Sequence, residues 1–272
     1  MKIDFHTHGK LAKGLPFSKS YTVDLFKEAK EAGLDAICLT EHFNSRGYRD
    51  LIQFIVDHYE RVGDCYQVDG LKIFIGMEVD IKEVGHVLVI GKVEDILEIH
   101  HRLEGYMRGP KQLDYEDYMG GESYIEAHEL MILCKEYPVL VGAAHAIREG
   151  SNIPTLSEDV LSQFDFFDLN GKDCSKDATM KKQIGELAGR FNKPVVAGSD
   201  THQCLQYGCI YNVFECDCKT IAEIHKEMNA GRYEIEMLDY IAFKVKSANM
   251  LKKSLKAMYA KCGQYTFEEE VS

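Results

Sequence analysis

Short apolar runs alternate with longer amphipathic segments along the chain, and this pattern predicts strands and helices in alternation. Strands are predicted at residues 2–5, 36–40, 71–79, 87–90, 139–144, 166–169, 195–198, 213–215 and 233–238. Helices are predicted at residues 22–32, 48–62, 93–103, 122–136, 154–164, 177–191, 220–229 and 241–262, with Thr22 as the first N-cap. Repeated strand–helix units without a flexible linker favour one α/β domain over residues 1–272, with a largely parallel sheet.

Three segments refine this prediction. The polar turn around Gly85 separates two strands and predicts a hairpin. Residues 6–10 read H-T-H-G-K, not the Gly-rich phosphate turn of an open doubly wound sheet, so a nucleotide-binding fold is the weaker alternative. Residues 104–121 are polar and rich in Gly and Tyr, and they predict an irregular loop that covers a pocket.

The composition is that of an ordinary globular protein, with 45% hydrophobic and 28% charged residues. No apolar run is long enough to cross a bilayer and no signal-peptide pattern is seen, so we expect a cytoplasmic protein with no membrane partner. Nine scattered cysteines argue against a disulfide framework. A net charge of -12 disfavours long nucleic acids as partners, and an anionic substrate would need local positive charge such as metal ions. Nothing in the sequence specifies an oligomeric state.

Polar groups able to bind metal or substrate follow or end six predicted strands. They are His6, His8, Glu41, His42, Glu78, His145, Asn170, Asp200 and His202. In a barrel of parallel strands these ends lie on one face, so residues distant in sequence converge there. Residues two apart in a strand point the same way, which allows the two histidines of H-x-H to chelate one ion.

His86 joins this set from the hairpin turn. Taken singly, each histidine is more simply a satisfied core or loop residue, and Glu78 a salt-bridge partner. Six of the eleven histidines nevertheless fall at strand ends or in the hairpin. The others lie in predicted helices and are interpreted as surface or packing residues: His58, His100, His101, His128 and His225. Imidazoles mixed with carboxylates suit zinc, manganese or iron better than magnesium or calcium, so the sequence predicts a site for such ions.

Six motifs resemble those of the PHP family (polymerase and histidinol phosphatase domains). They are D-F-H-T-H at 4–8, G-L-D-A-I-C-L-T-E-H at 33–42, G-M-E at 76–78, G-H-V-L-V-I-G at 85–91, A-A-H at 143–145 and G-S-D-T-H at 198–202. They follow the family's order and span three quarters of the chain. The resemblance implies a distorted (β/α)7 TIM-like barrel that holds two to three divalent ions.

By the same resemblance the ligands fall into three sets. The first ion is held by His6, His8, Glu78 and Asp200. Glu78 bridges to a second ion held by His86 and His145, and His42 and His202 belong to a third. Residues 9–14 contain no histidine where many members have one, so the third ion has fewer ligands. Glu41 replaces the usual Asp and is still expected to orient His42.

The resulting hypothesis is hydrolysis of a small phosphomonoester by a metal-activated water, with histidinol phosphate as one option because stand-alone family members of this size include histidinol phosphatases. Asp200 or His202 moves a proton, and the sequence does not decide between them. Candidate substrate contacts are Lys10, Lys13, Arg148, Asn170 and Lys172. The alternatives are a nucleotide phosphodiesterase or exonuclease, a non-catalytic metal-binding regulatory module, and an amidohydrolase-type enzyme. The last is disfavoured because such sites commonly add a bridging lysine after a middle strand, and no comparable lysine is seen here.

Overall fold

The structure, a computed structural model, describes residues 1–106 and 124–266. In these ranges the strands are β1 (Lys2–Thr7), β2 (Ala36–Leu39), β3 (Glu60–Val62), β4 (Cys65–Val68), β5 (Leu71–Ile81), β6 (Gly85–Gly91), β7 (Leu140–Ala144), β8 (Phe166–Asn170), β9 (Val195–Gly198), β10 (Ile210–Phe214) and β11 (Tyr233–Met237). The helices are α1 (Lys19–Glu31), α2 (Tyr48–His58), α3 (Val93–Arg102), α4 (Ala127–Cys134), α5 (Glu158–Gln163), α6 (Gly171–Cys174), α7 (Met180–Gly189), α8 (Ile221–Asn229) and α9 (Ile241–Cys262). No helix in the described ranges combines the length and the apolar character needed to cross a membrane.

The sheet curls into a nearly closed barrel in the order β1, β2, β5, β6, β7, β8, β9. Strands β1, β2 and β5 are parallel, as are β7, β8 and β9, whereas β6 runs antiparallel to both of its neighbours. After β9 the chain returns to β1: Asp200 N donates to His6 O at 2.7 Å, and His8 N donates to Thr201 O at 2.9 Å. This confirms the TIM-like barrel implied by the motifs, including the hairpin between β5 and β6.

Side chains alternate between two apolar layers along each barrel strand. In β2, Ala36 and Cys38 belong to a small interior cluster, whereas Ile37 and Leu39 face the helices. Phe5 of β1 meets Phe166 of β8 inside the barrel, with ring centroids 5.6 Å apart. Because both faces of these strands are buried, they read as continuous apolar runs.

Three local predictions were wrong. Residues 48–62 do not form one helix, because α2 ends at His58 and the chain turns at Gly63 (φ +67°) into the β3–β4 hairpin. The first helix is capped by Ser18 rather than Thr22, since the Ser18 hydroxyl accepts from Tyr21 N. Residues 154–164 split into a 3₁₀ turn and the short helix α5. Of the predicted loop 104–121, Glu104–Tyr106 forms a 3₁₀ turn and the remainder lies outside the described residues.

Candidate active site

A cavity of about 310 Å³ opens at the rim of the barrel where the parallel strands end. Its lining includes six of the predicted ligands: His42, Glu78, His86, His145, Asp200 and His202. Their position follows from strand periodicity. Phe74 and Glu78 share the interior face of β5, so the apolar interior of the barrel gives way to a polar rim as the strand ends.

Glu78 lies at the centre of the site and is 1% exposed. Its Oε1 accepts from His86 Nδ1 at 2.6 Å and from His145 Nε2 at 3.0 Å. Its Oε2 lies 2.9 Å from His42 Nδ1. Burial alone would raise the pKa of Glu78, but the surrounding histidines, His42 foremost, hold it well below its usual range.

The two histidines of β1 reach the same point from the opposite side. His6 Nε2 and His8 Nε2 each lie 3.5 Å from Glu78 Oε2, and His8 Nε2 lies 3.4 Å from Asp200 Oδ1. Both are fully buried. A register shift between Asp4 and Thr7 interrupts the pairing of β1 with β2, and such bulges commonly re-aim side chains. This explains how His6 faces the interior directly after the interior residue Phe5.

The arrangement of these atoms fits metal ions. His6 Nε2, His8 Nε2 and Glu78 Oε2 are buried and have no hydrogen-bond partner in the described ranges. Such orphaned atoms are rare in native proteins. Ligands of one tetrahedral ion, with bonds of about 2.0 Å, lie roughly 3.3 Å apart, which is close to the separations seen here. Three clusters of potential ligands result: His6, His8 and Asp200; Glu78, His86 and His145; and His8, His42 and His202.

Two of these residues hold backbone conformations that L-residues seldom adopt. His145 has φ +30° and Asp200 has φ +56°. His145 directly follows β7 and Asp200 lies two residues after the end of β9, where the chain turns back over the rim. Strain of this kind persists when the surroundings over-determine it, and it concentrates at functional sites.

Buried acids orient the histidine rings. Asp168 Oδ2 accepts from His6 Nδ1 at 3.1 Å, which leaves His6 Nε2 directed at the cluster. Asp80 Oδ1 lies 2.9 Å from His86 Nε2. Burial alone lowers the pKa of His86, but the charges of Glu78 and Asp80 raise it to about 9. Carboxylate partners on the second ring nitrogen are typical of metal-binding histidines.

Glu41 and His202 complete the surroundings of His8. Glu41 accepts from the His42 backbone N at 3.1 Å and lies 3.8 Å from His8 Nδ1, so it contacts the His8 ring rather than the His42 ring that we expected it to orient. The His202 ring stacks on His8 with centroids 3.9 Å apart. His202 Nδ1 donates to Lys10 O at 3.1 Å, which turns Nε2 toward the cluster.

Three of the expected substrate contacts lie at the cavity: Lys13, Arg148 and Lys172. Lys13 pairs with Asp80 at 2.7 Å, and Lys172 pairs with Asp200 Oδ1 at 2.7 Å. Arg148 donates to Asp200 Oδ2 at 3.0 Å.

Lys10 and Asn170 do not line the cavity, so the structure does not bring them to the place where we expected substrate contacts. The Lys10 ammonium is buried among loop acceptors, which are Ser45 Oγ at 2.6 Å, Lys13 O at 3.3 Å and the Arg46 carbonyl. The Asn170 amide donates to Asp168 and accepts from Arg148 at 2.8 Å. Both residues hold other parts of the site in place.

Sequence reasoning missed Asp80, Asp168 and Lys252. Asp80 lies two residues beyond Glu78, and Asp168 lies two residues before Asn170. Strand periodicity therefore places each on the same face as a residue that the sequence had already indicated. Lys252 reaches the cavity from α9, and no sequence motif marks it.

A family model for the PHP domain matches residues 4–237. The chain therefore belongs to the PHP domain family, and with its three ligand clusters it is a metal-dependent phosphoesterase, that is, a hydrolase. No curated protein matches the sequence significantly.

Solved structures share the fold at low sequence identity. PsfC from Pseudomonas syringae superposes with a TM-score of 0.73 at 20% identity, over 93% of this chain and 98% of that chain. The lesion-specific endonuclease PfuEndoQ from Pyrococcus furiosus gives 0.64 at 22% identity, over 86% of this chain and 57% of the endonuclease. An amidohydrolase from Chromobacterium violaceum with bound sulfate gives 0.55 at 13% identity, over 86% of this chain and 98% of that chain. At these identities the likeness shows the fold alone.

Proposed function

We propose that this protein hydrolyses a small phosphomonoester and releases inorganic phosphate. The observation that supports this most is that three clusters of potential metal ligands share one cavity with the cations of Arg148 and Lys172. A volume of about 310 Å³ is at the low end for small-molecule sites. The net charge of -12 further disfavours a long nucleic acid as the substrate.

Two to three divalent ions of zinc, manganese or iron would be held at these clusters. His6, His8 and Asp200 would hold the first ion. His86 and His145 would hold the second ion, and Glu78 would contribute to both. A third would rest on His8, His42 and His202, with no histidine in 9–14 to support it. Such ions, when bound, acidify water, hold phosphoryl oxygens and neutralise charge on the leaving oxygen.

The basic residues of the rim would position the phosphoryl group. Asp173 accepts from Arg148 Nε at 2.9 Å and so holds the guanidinium fork beside Asp200. A planar guanidinium binds two phosphoryl oxygens at once, whereas the Lys172 ammonium acts as a point charge. Both cations would shift from the Asp200 carboxylate toward the more highly charged phosphate.

His202 is the better of the two candidates for moving a proton when the third ion is absent. Its Nδ1 proton is held by the Lys10 carbonyl, which leaves the basic Nε2 facing the cavity. Asp200 would instead be committed as a ligand of the first ion. Burial, followed by the neighbouring His8, lowers the pKa of His202 well below its usual range, which keeps the ring neutral at neutral pH.

The substitution Glu78→Gln tests this function. It preserves shape but removes the charge shared by two clusters, so we expect turnover to fall about a hundredfold or more, with a lower metal content. Phosphate release is measured over amino-alcohol, sugar and nucleotide monophosphates, histidinol phosphate included, with added manganese or zinc. Bound metal is counted by elemental analysis.

The exposed Glu98 on α3 supplies the matched control, because Glu98→Gln makes the same chemical change far from the cavity. Its turnover and metal content should equal those of the wild type. The proposed function would be rejected if the metal-loaded wild type released no phosphate from any ester, or if Glu78→Gln retained full turnover.

A further inference from the structure

Four basic side chains line the cavity: Lys13, Arg148, Lys172 and Lys252. Three of them have carboxylate partners, which are Lys13–Asp80 at 2.7 Å, Arg148–Asp173 at 2.9 Å and Lys172–Asp200 at 2.7 Å. Lys252 differs, because it has neither a hydrogen bond nor an ion pair with any residue in the ranges 1–106 and 124–266. The cavity therefore presents one cation that the protein itself does not neutralise.

Lys252 reaches the cavity from outside the residues that the PHP family model matches. It is carried by α9, which begins at Ile241 and so lies beyond the matched residues 4–237. Helix α9 packs against α6, which carries Lys172, and Lys252 is half-buried there. Two ammonium groups from different elements thus face the same space at the mouth of the site.

An arrangement of this kind is costly without an anion. Burial, with the charge of Lys172 next in importance, lowers the pKa of Lys252 to about 7. The carboxylates of Asp200 and Glu41 counter this only in part, because neither lies within ion-pair distance of Lys252. A partly desolvated cation without a partner loses more hydration than it recovers, and an anion bound beside Lys252 removes that penalty.

We propose that Lys252 binds a second anionic group of the substrate, beside the phosphoryl group that Arg148 and Lys172 would position. This inference rests on the proposed function and narrows it to compact phosphomonoesters that also carry a carboxylate or another phosphate. The cavity of about 310 Å³ requires both groups to belong to one small molecule. A substrate whose second group is an ammonium, as in histidinol phosphate, would be repelled at this position.

Four phosphonates with the same two-carbon spacer test the proposal by binding alone, because their P–C bond is not hydrolysed. Phosphonopropionate carries a carboxylate, ethylenediphosphonate a second phosphonate, hydroxyethylphosphonate a hydroxyl, and aminoethylphosphonate an ammonium. Affinities are measured by titration calorimetry with manganese-loaded protein. For the wild type we expect phosphonopropionate and ethylenediphosphonate, which have two anionic groups, to bind at least tenfold more tightly than hydroxyethylphosphonate, and aminoethylphosphonate to bind most weakly. Comparison of the first two ligands shows whether the site prefers carboxylate or phosphate.

Variants assign this preference to Lys252. Lys252→Gln should weaken the affinity for the preferred ligand with two anionic groups about 10- to 100-fold, the value of a charged hydrogen bond. The affinity for hydroxyethylphosphonate should change less than twofold. Lys252→Arg keeps the charge and should retain most of the affinity. The adjacent, exposed Lys253→Gln should match the wild type, because it makes the same change on the outer face of α9. Thermal melting verifies that each variant folds.

The proposal would be overturned if the wild type bound the ligands with two anionic groups no more tightly than hydroxyethylphosphonate. An equal loss of affinity for all four ligands in Lys252→Gln would overturn it as well. A parallel assay compares phosphate release from phosphoglycolate and from ethylene glycol monophosphate, with KM expected to change more than kcat in Lys252→Gln. If neither ester is cleaved while the binding preference persists, the proposed reaction fails and the anion site stands. If both are cleaved without preference, the anion site fails and the reaction stands.

Discussion

A fully buried carboxylate at position 168 positions two of the proposed ligands. Asp168 accepts from the His6 ring at 3.1 Å and from the His145 backbone N–H at 3.1 Å. The first bond fixes the proton on His6 Nδ1, and the second helps to hold His145 in its left-handed conformation. Asp168 does not line the cavity, so it acts through the residues that do.

We predict that Asp168→Asn weakens metal binding about 10- to 100-fold, as is typical when a carboxylate behind a ligating histidine is lost. The amide keeps the shape but not the charge that orients the imidazole. Competition with a coloured chelator measures the affinity. Asp159→Asn, at an exposed carboxylate on α5, is the control and should bind metal as the wild type does. An unchanged affinity in Asp168→Asn would contradict the positioning role.

The sequence correctly predicted which proposed ligands would lie close together, but it did not predict which residues would hold those ligands in position. Histidines at strand ends converge because strand ends share a rim, a rule that needs no coordinates. The direction of Lys10 depends on how the loop 9–14 folds over Ser45, which the sequence does not show. Asp168 was overlooked because it lies inside a strand that otherwise reads as core.

A single buried histidine ties helix α3 to the loop after β2. His100 Nε2 donates to Phe43 O at 2.8 Å, and its Nδ1 accepts from Arg49 Nε at 3.3 Å. The ring stacks on Tyr48 with centroids 4.5 Å apart. Burial of the ring lowers its pKa from 6.5 to about 4, with a smaller contribution from the charge of Arg49 and against the effect of the bond to Phe43.

This lowered pKa makes the stability of the protein dependent on pH. The unfolded state binds a proton near pH 6.5 and the folded state only near pH 4, so stability present at neutral pH is lost as the pH falls through this window. We expect His100→Gln, which does not titrate, to reduce the slope of unfolding free energy against pH between 7 and 5 by up to ~1.4 kcal/mol per pH unit. Urea denaturation of chelator-treated protein measures the slope.

The neighbouring His101 is the control for this effect, because its side chain is exposed. His101→Gln should leave the slope of the wild type unchanged. Equal slopes in the wild type and His100→Gln would show that the buried ring does not govern the acid sensitivity.

Element boundaries were predicted where local signals agree. Thr220 and Glu223 form a capping box at the start of α8, one residue after the predicted start. The stretch 48–62 was misassigned because helical spacing continues past His58, whereas the backbone at Tyr59 is already extended. Residues 60–62 form β3, which pairs with β4, and β4 pairs in turn with β5 of the barrel, so this strand is stabilised by the sheet and not by helical spacing.

The barrel is joined between its last and first strands by the side chain of Asn212 on β10. Its Oδ1 accepts from Ala197 N at 2.8 Å, and its Nδ2 donates to Ala197 O at 2.9 Å and to Ile3 O at 3.0 Å. The residue is fully buried. One amide therefore satisfies backbone groups of both β9 and β1, the strands that carry the proposed ligands Asp200, His6 and His8.

We predict that Asn212→Leu destabilises the protein by about 3–5 kcal/mol, because a similar volume remains while three buried backbone groups lose their partners. Metal affinity should fall as well, since ligands from β1 and β9 are no longer held together. Denaturant unfolding with and without manganese measures both effects. Asn229→Leu, at an exposed position at the end of α8, should change neither. A fully stable Asn212→Leu protein would show that other contacts hold β9 and β1 together.

The architecture followed from the alternation of elements, and the direction of β6 followed from the short turn 82–84. So short a connection leaves no room for the crossover that a parallel strand needs, which makes β6 antiparallel. The hydrogen bonds of Asn212 between β9 and β1 were not predictable, because they join residues 3, 197 and 212, which no local pattern connects.

Helix α9 lies beyond residues 4–237, which the PHP family model matches, yet it contributes to the mouth of the cavity. The barrel rim and this helix can therefore change independently during evolution. Substitutions within residues 241–262 would alter which ester is accepted while leaving every proposed ligand in place, so related proteins would diverge in substrate before they diverge in chemistry.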